Sequence, residues 1–455
     1  MMEVIVVFDI GKTNKKVLLF DKQLKLVFQQ EHKFNCITDD EGFECDDIEK
    51  IESWMKDTLT DLNKKYEVKA VNFSTYGATL MYLNNEGKRL TPAYNYLKPM
   101  PEGITGPLYE TYGGVAEFSR KTASPALDML NSGLQALWLK KTKPEIFKQV
   151  EHILHFPQYL CHTLTGKVFS EYTSIGCHTA LWDYDNMKYH QWCVDEGLKL
   201  PEPVANETLV DAELNGLNYR CGIGIHDSSA SLAPYILASK EKFVLISTGT
   251  WCINMNPFNF EPLTMDQLES DCLSFMSINR QPVKSSRLFM GHIHDVNTER
   301  LNAYFEVDPN RYKTVCCDQD VLDELDHKFG HKRHFFKEGV PSDFTDIEAD
   351  LQVFDSFEEA YHKLMLDLTD VECEALSLVL TDEVKNIYVS GGFARNEIYV
   401  RQMATTFPDK TVYTSEIDNS SALGAALVVW NAISDDLPSL DLGLKRWEGF
   451  AITTK

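Results

Sequence analysis

The sequence has no long hydrophobic run, no cysteine framework and little basic charge. The apolar stretch near its start, Val4 to Phe8, is five residues long. That is too short for the core of a secretory leader, and no segment approaches the ~18 apolar residues of a membrane span. Eleven cysteines are scattered along 455 residues, and the one close pair, Cys316-Cys317, is adjacent rather than CxxC. An odd, unpatterned set in so long a chain reads as reduced thiols, which sets the expectation of a cytoplasmic protein. Lys and Arg number 44 against 68 Asp and Glu, a net charge of −24. Such a surface argues against nucleic acid or an anionic membrane as partner, and requires any phosphate site to be built locally from backbone amides and a few cations. The GxGxxG fingerprint is also missing, since Gly391-Gly-Phe-Ala-Arg395 lacks its spacing, so a nicotinamide cofactor is disfavoured. By contrast, 44% hydrophobic and 11% aromatic residues give ample core. The length suits two or three domains.

What the sequence does contain is an internal echo. Val4-Ile-Val-Val-Phe8 is a β-branched run followed by Asp9-Ile-Gly-Lys-Thr13 and then Val17-Leu-Leu-Phe20. Phe243-Val-Leu-Ile246 is followed in the same way by Ser247-Thr-Gly-Thr250 and Cys252-Ile-Asn-Met255. Each reads as strand, tight Gly-Thr turn, strand, and such a turn brings backbone amides close to an anion. A second echo pairs Glu67-Val-Lys-Ala-Val-Asn-Phe-Ser74 with Glu383-Val-Lys-Asn-Ile-Tyr-Val-Ser390, each strand running into a glycine turn. Together they predict two related halves of an α/β fold.

Between these landmarks, Met129, Leu130, Leu134, Leu137 and Trp138 recur at helical spacing before Pro144. The apolar residues within Ser356 to Leu380 predict one long buried helix. Residues 201–218 read as a loop, with a domain break near 230, giving domains over 1–230 and 231–455. Segment 306–348 reads as a solvated insertion. His292, His294, Asp295, His327, His331 and His334 have ligand-like spacing, but basic neighbours and a following helix favour solvated histidines over a metal site.

The ordered series of motifs resembles the FGGY carbohydrate kinases of the actin/hexokinase-like ATPase superfamily. It comprises Asp9-Ile-Gly-Lys-Thr13, Ser132-Gly-Leu-Gln-Ala-Leu-Trp-Leu-Lys-Lys141, Phe156-Pro-Gln-Tyr-Leu160, Leu164-Thr-Gly166 and Gly224-Ile-His-Asp227. It continues with Ser247-Thr-Gly-Thr-Trp251, Ser390-Gly-Gly-Phe-Ala-Arg-Asn396 and Ala422-Leu-Gly-Ala-Ala426. The resemblance spans almost the whole chain. It implies a two-domain, duplicated ribonuclease-H-like fold with a central cleft, ATP bound mainly by the C-terminal domain and a sugar mainly by the N-terminal one. Kinases of this kind are commonly dimeric, so a homodimer is compatible, although nothing in the sequence marks an interface.

The resemblance also assigns roles. Asp227 becomes the base that accepts the sugar hydroxyl proton; read from its neighbours alone, it is first a helix N-cap before Ser228-Ser-Ala-Ser231. Asp9, otherwise a turn-forming aspartate, becomes the acid that holds Mg²⁺ through waters. Gly11, Lys12, Thr13 and Asn14, with Thr248, Gly249 and Thr250, would grip the β- and γ-phosphates of ATP. Lys12 stands where the family usually has Thr or Ser, and reads either as a solvent-facing hairpin lysine or as an added charge at the γ-phosphate. Gly391 and Gly392 would meet the α-phosphate and ribose, and Asn396 the adenine. Gly77, Ala78, Tyr94, Tyr96, His226 and Asp227 are expected at the sugar. Tyr76-Gly77-Ala78 and Tyr94-Asn-Tyr96 depart from the commoner Gly-Gln and Trp-x-Asp patterns and look more like the rhamnulose and fuculose kinases. An aromatic wall would suit the methyl of a 6-deoxyketose, though core packing is an equal use for these tyrosines. A kinase for a pentulose or other polyol, a non-catalytic sensor of the same fold, and a hydrolase using paired carboxylates are the competing readings. The last leaves both Gly-Thr hairpins unexplained.

Overall fold

In the computed structural model, which describes residues 1–330 and 332–450, the two halves of the chain each build a mixed sheet of the same plan. The first half opens with β1 (Met2–Ile10), β2 (Lys15–Asp21), β3 (Leu26–His32), α1 (Ile48–Leu62) and β4 (Tyr66–Thr75). A two-stranded excursion, β5 (Leu80–Leu83), then follows. After it come α2 (Ser132–Thr142), the excursion's second strand β6 (His152–His155), and α3 (Phe156–Thr165). The half closes with β7 (Leu209–Leu214), β8 (Leu217–Gly222), β9 (Ile225–His226) and α4 (Asp227–Ala238). The second half contains β10 (Phe243–Thr248), β11 (Cys252–Asn256), β12 (Cys272–Met276), β13 (Pro282–Leu288), α5 (Met290–Phe305), α6 (Gln319–Phe329) and α7 (Phe357–Ser377). It ends with β14 (Asn386–Gly391), α8 (Glu397–Thr406), β15 (Thr411–Thr414), α9 (Ser420–Leu427) and β16 (Lys445–Trp447).

Strand order in the first sheet is β7-β8-β4-β1-β2-β3, with β9 beside β4; in the second it is β16-β15-β14-β10-β11-β13-β12. The directions match as well. β1 pairs antiparallel with β2 and parallel with β4, as β10 does with β11 and β14. β4–β8 and β14–β15 are both parallel, and β7 and β16 return antiparallel at the edges. Two runs of similar sequence thus fold to one topology, and the two Gly-Thr turns become corresponding β1–β2 and β10–β11 hairpins.

Local chemistry explains the elements. Val4 to Phe8 are fully buried, as a central strand covered on both faces requires. Helix α1 buries Ile48, Ile51, Met55, Leu59 and Leu62 on one stripe, and Asp47 caps it by accepting from the Lys50 amide. Ser356 caps α7 in the same way through the Glu359 amide, worth about 1 kcal/mol.

Three expectations need correction. Residues 201–218 are not all loop: β7 and β8 form an edge hairpin around Asn215-Gly216, with both turn residues at positive φ. Asn-Gly between two alternating runs is a strong hairpin signal. Segment 306–348 is not a solvated insertion, because α6 buries Leu322 and Leu325, and Phe335 and Phe336 are at most 1% exposed in the second half's core. Nor are all the histidines solvated. His294 is buried between Asp295 and the Tyr361 hydroxyl, and His334 is buried with Nε2 on the Asp350 carbonyl; His331 lies outside the described residues. Position 230, expected at a domain break, falls within α4.

Helix α9 crosses over. Although it belongs to the last part of the sequence, it packs on α4 and lies against β1 and β4 of the first sheet. A Cβ on Gly424 would sit 1.8 Å from the Ala230 carbonyl oxygen, so only glycine permits this approach of the two helix backbones. No helix among the described residues is long and apolar enough to cross a membrane.

Candidate active site

Two carboxylates face each other's field where the halves meet. Asp9 lies near the end of β1 opposite Ser74 of β4, and its Oδ2 accepts from Ser421 Oγ of α9 at 3.2 Å. Asp227 is the first residue of α4. The N-cap position expected for it belongs to His226, while Asp227 Oδ1 accepts from the Ser228 amide at 2.6 Å. A helix N-terminus favours the ionised form, but burial opposes it. The side chain keeps 37% of its surface open to the cleft, yet protein surrounds it on the remaining sides. Burial raises Asp227 to about 6, against the pull of the Ser228 amide and hydroxyl. Asp9 is also raised to about 6, first by burial and then by the charge of Asp227, against Ser74, Ser421 and Lys16.

Two mutually repelling carboxylates in one cleft are relieved by a divalent cation. Among the described residues, no three His, Cys, Asp or Glu side chains converge to hold one. The donor set therefore fits a Mg²⁺ that keeps most of its ligands as water and phosphate oxygens.

The hairpin tips differ from the simple expectation of free amides. The Gly11 amide already donates to the Asn14 carbonyl at 2.9 Å, and the Gly249 amide donates to the Trp251 carbonyl at 2.9 Å. Donors for an anion must therefore come from elsewhere at the tips, with the Thr13 and Thr250 hydroxyls among the candidates. Thr248 is committed: its hydroxyl donates to the Ser390 carbonyl at 2.6 Å and accepts from the Phe393 amide at 3.0 Å, tying β10 to the Gly391-Gly392 turn. Gly391, at φ 92°, would drive a Cβ to 1.9 Å from the Thr248 carbonyl oxygen, so that turn exists only with glycine. Asn396 caps α8 through the Tyr399 amide, and its Nδ2 donates to the Tyr361 hydroxyl. Its side chain is thus already spoken for by the fold. The Asn14 Oδ1 is buried without a partner.

On the other side of the cleft, His226 Nε2 lies 3.2 Å from Asp227 Oδ1 and 3.0 Å from Cys177 Sγ, with Nδ1 3.4 Å from Ser229 Oγ. Burial pushes this imidazole down to about 4, so it is neutral near pH 7 and orients rather than charges Asp227. Gly77 packs beside it: a Cβ there would meet Cys177 Sγ at 3.1 Å and the His226 ring at 3.3 Å. Ala78 holds a left-handed φ of 57°, and its carbonyl accepts from the buried Gln135 Nε2 at 2.7 Å. Backbone strain of this kind persists where the surroundings impose it.

Lys12 is neither a free hairpin lysine nor an unpaired charge. Its Nζ bonds Asp46 Oδ2 at 2.9 Å and stands 5.3 and 5.6 Å from the ring centroids of Tyr76 and Tyr96, on the side of the expected sugar wall. Tyr94 does not reach that wall. It is fully buried edge-on against Trp138 at 4.7 Å, which is the core-packing use of the residue.

Known proteins resemble this chain in sequence and in fold. Residues 4–197 match the N-terminal domain of the FGGY family of carbohydrate kinases. A rhamnulokinase of Halalkalibacterium halodurans is 22% identical over 449 residues, covering 94% of this chain and 93% of its own. The first part of this chain is thus similar to the N-terminal domain of the FGGY carbohydrate kinases. A carbohydrate kinase from Novosphingobium aromaticivorans superposes with a TM-score of 0.82 at 25% identity, over 98% of this chain and 94% of that one. A xylulose kinase of Lactobacillus acidophilus follows the same fold with a TM-score of 0.75 at 17% identity, over 98% and 93% of the two chains. The architecture is the two-domain actin/hexokinase-like fold, and the protein is a phosphotransferase.

Several residues around the site carry no motif. Asp46 is buried and binds Lys15 at 2.8 Å and the Tyr76 hydroxyl at 2.7 Å as well as Lys12. Burial works against its charge, but Lys15, Tyr76 and Lys12 hold the carboxyl below its ordinary value. Ser421 reaches Asp9 across 412 positions of sequence. It stands just before Ala422-Leu-Gly-Ala-Ala426, so a signal for that helix existed, but none for its target. Asn72 of β4 donates to the Ala425 carbonyl and accepts from the Gly224 amide, bracing the turn that leads to Asp227.

Proposed function

We propose that the protein is an ATP-dependent ketose kinase with Asp227 as its base. The observation that carries this reading is the placement of Asp227: the first residue of a helix, in a cleft, raised to about 6 and facing Asp9. A carboxylate with that proton affinity is suited to accept a proton near neutral pH. In the transfer, Asp227 takes the proton of a sugar hydroxyl as its oxygen bonds to the γ-phosphorus. The bond from that phosphorus to the β–γ bridging oxygen breaks, and ADP leaves. Asp9 is the residue that would hold Mg²⁺, whose charge offsets that of the phosphates. Gly11, Thr13, Asn14, Gly249 and Thr250 line the two hairpin tips that would embrace the phosphates, with Thr248 fixing the turn at Gly391 and Gly392 on the nucleoside side. Gly77, Ala78, Tyr96 and His226 would meet the sugar, and Lys12 belongs with them rather than with ATP.

We place the domains on either side of α4, with the sugar on the first and the nucleotide on the second, in a cytoplasmic enzyme. The substrate we favour is a 6-deoxyketohexose such as L-rhamnulose or L-fuculose, phosphorylated at its terminal hydroxyl. Support comes from the rhamnulokinase relative and from the aromatic Tyr76 and Tyr96 beside Gly77. The test is a coupled ADP-release assay with Mg-ATP over L-rhamnulose, L-fuculose, xylulose, ribulose and glycerol, with Asp227→Asn alongside. Turnover on a deoxyketose, reduced at least ~10²-fold in the variant, is the expected result. Turnover confined to a pentulose or glycerol would remove the substrate assignment. Sugar-independent behaviour of a folded, ATP-binding protein would remove the catalytic one.

A further inference from the structure

Behind Gly77 and Ala78 lies a small enclosed space that the proposed transfer does not use. Gly77, Ala78, His155, Phe156, Ser174 and His226 are among the residues around a cavity of about 10 Å³, the room that one water-sized oxygen needs. His155 ends β6, where it pairs with Leu80 of β5, and is 4% exposed. Neither of its ring nitrogens has a hydrogen-bond partner. Burial first, and then the neighbouring His226, push the His155 imidazole down to about 3. It is therefore neutral, with one N–H to donate and one lone pair to accept. Interiors seldom leave such groups unpaired, because each costs on the order of 1–3 kcal/mol. A methyl group in the cavity would satisfy neither nitrogen. A hydroxyl would pair with whichever nitrogen faces it, accepting from an N–H or donating to a lone pair.

We propose that this cavity is a subsite for one hydroxyl of the sugar, and that His155 is the side chain that recognises it. The inference rests on the sugar-kinase reading above, because the cavity's rim is the turn and histidine assigned there to the sugar. A resident water offers the same chemistry, and the two occupants give different kinetics.

The experiment compares wild type with His155→Phe, which replaces the polar ring by carbon, and His155→Gln, which keeps a donor and an acceptor. ADP release is followed on the best ketose of the panel and on monodeoxy analogues of it. His155→Phe is expected to raise the sugar KM by about 10-fold or more while leaving the ATP KM unchanged, and His155→Gln to raise it less. The analogue that lacks the recognised hydroxyl should bind wild type more weakly, yet lose nothing further in His155→Phe. An unchanged sugar KM in the folded variants would overturn the subsite and leave the cavity to a water. If His155→Phe does not fold, the decision passes to His155→Gln and the analogue series. Should wild type release no ADP with any ketose, the kinase reading fails separately, and sugar-induced thermal shifts then judge the subsite. A shift in wild type that His155→Phe loses supports it; an equal shift in both, or none in wild type, overturns it.

Discussion

A base that takes a proton from a hydroxyl works best when its own proton affinity lies near the working pH, and burial has moved Asp227 there. Asp9 has moved with it, partly through the charge of Asp227, so the two titrate as a pair rather than singly. Both must be ionised for the proposed transfer. The expected kcat/KM is therefore flat above about pH 7 and falls below about pH 6, with a slope approaching two as both carboxylates take up protons. A profile that stays level down to about pH 5 would show that neither group acts as assigned. The placement of single residues was legible in the sequence where a short motif carries them. Asp9, Asp227 and the hairpin glycines stand in such motifs. The surroundings of Lys12, Tyr94 and Asn396 were not legible because their partners are distant in sequence: Asp46 for the lysine, Trp138 for the tyrosine, Tyr361 for the asparagine. No spacing rule announces a partner 34 to 44 positions away.

Elements were easier to read than their company. The β-branched runs at Val4 and Phe243 and the apolar rhythm from Phe357 each gave a strand or helix close to the observed bounds, because periodicity reports local burial. The contact between α4 and α9 left no such trace. Ala422, Gly424 and Ala426 read as a small-residue helix, but nothing in them names Ala230 as the neighbour. That contact makes a sharp prediction. Gly424→Ala puts a methyl where the Ala230 carbonyl oxygen now stands, so one helix must move by more than an ångström. Overpacking of this kind costs about 3 kcal/mol. Because α4 begins at Asp227 and α9 carries Ser421 to Asp9, the variant is expected to lose activity as well as stability. Thermal unfolding together with ADP release checks both, and a variant with wild-type Tm would mean that the helix pair is looser than it looks.

For the whole molecule, the balance of acid over base is less telling than where one acid is put. Glu372 of α7 is fully buried in the second half, and neither carboxylate oxygen has a hydrogen-bond partner. Burial raises it from 4.5 to about 8, and the Asn254 side chain only partly offsets this. A raised acid binds a proton more tightly folded than unfolded. Its contribution to stability is therefore full below about pH 4.5 and is lost as the pH rises through about 8. The Tm is expected to be lower at about pH 9 than at about pH 6, and Glu372→Gln, which mimics the neutral acid, should flatten that difference. Equal pH dependence in the variant would place the titrating group elsewhere. The duplication itself was visible in the sequence as two pairs of similar runs, and the matching strand orders bear it out. The crossing of α9 onto the first sheet was not visible, and it bears on how the protein is made. A ribosome must add 421 of the 455 residues before Asp9 meets its serine. Until then the first half, with the residues proposed for the sugar and for the base, waits on the growing chain without the helix that completes its packing.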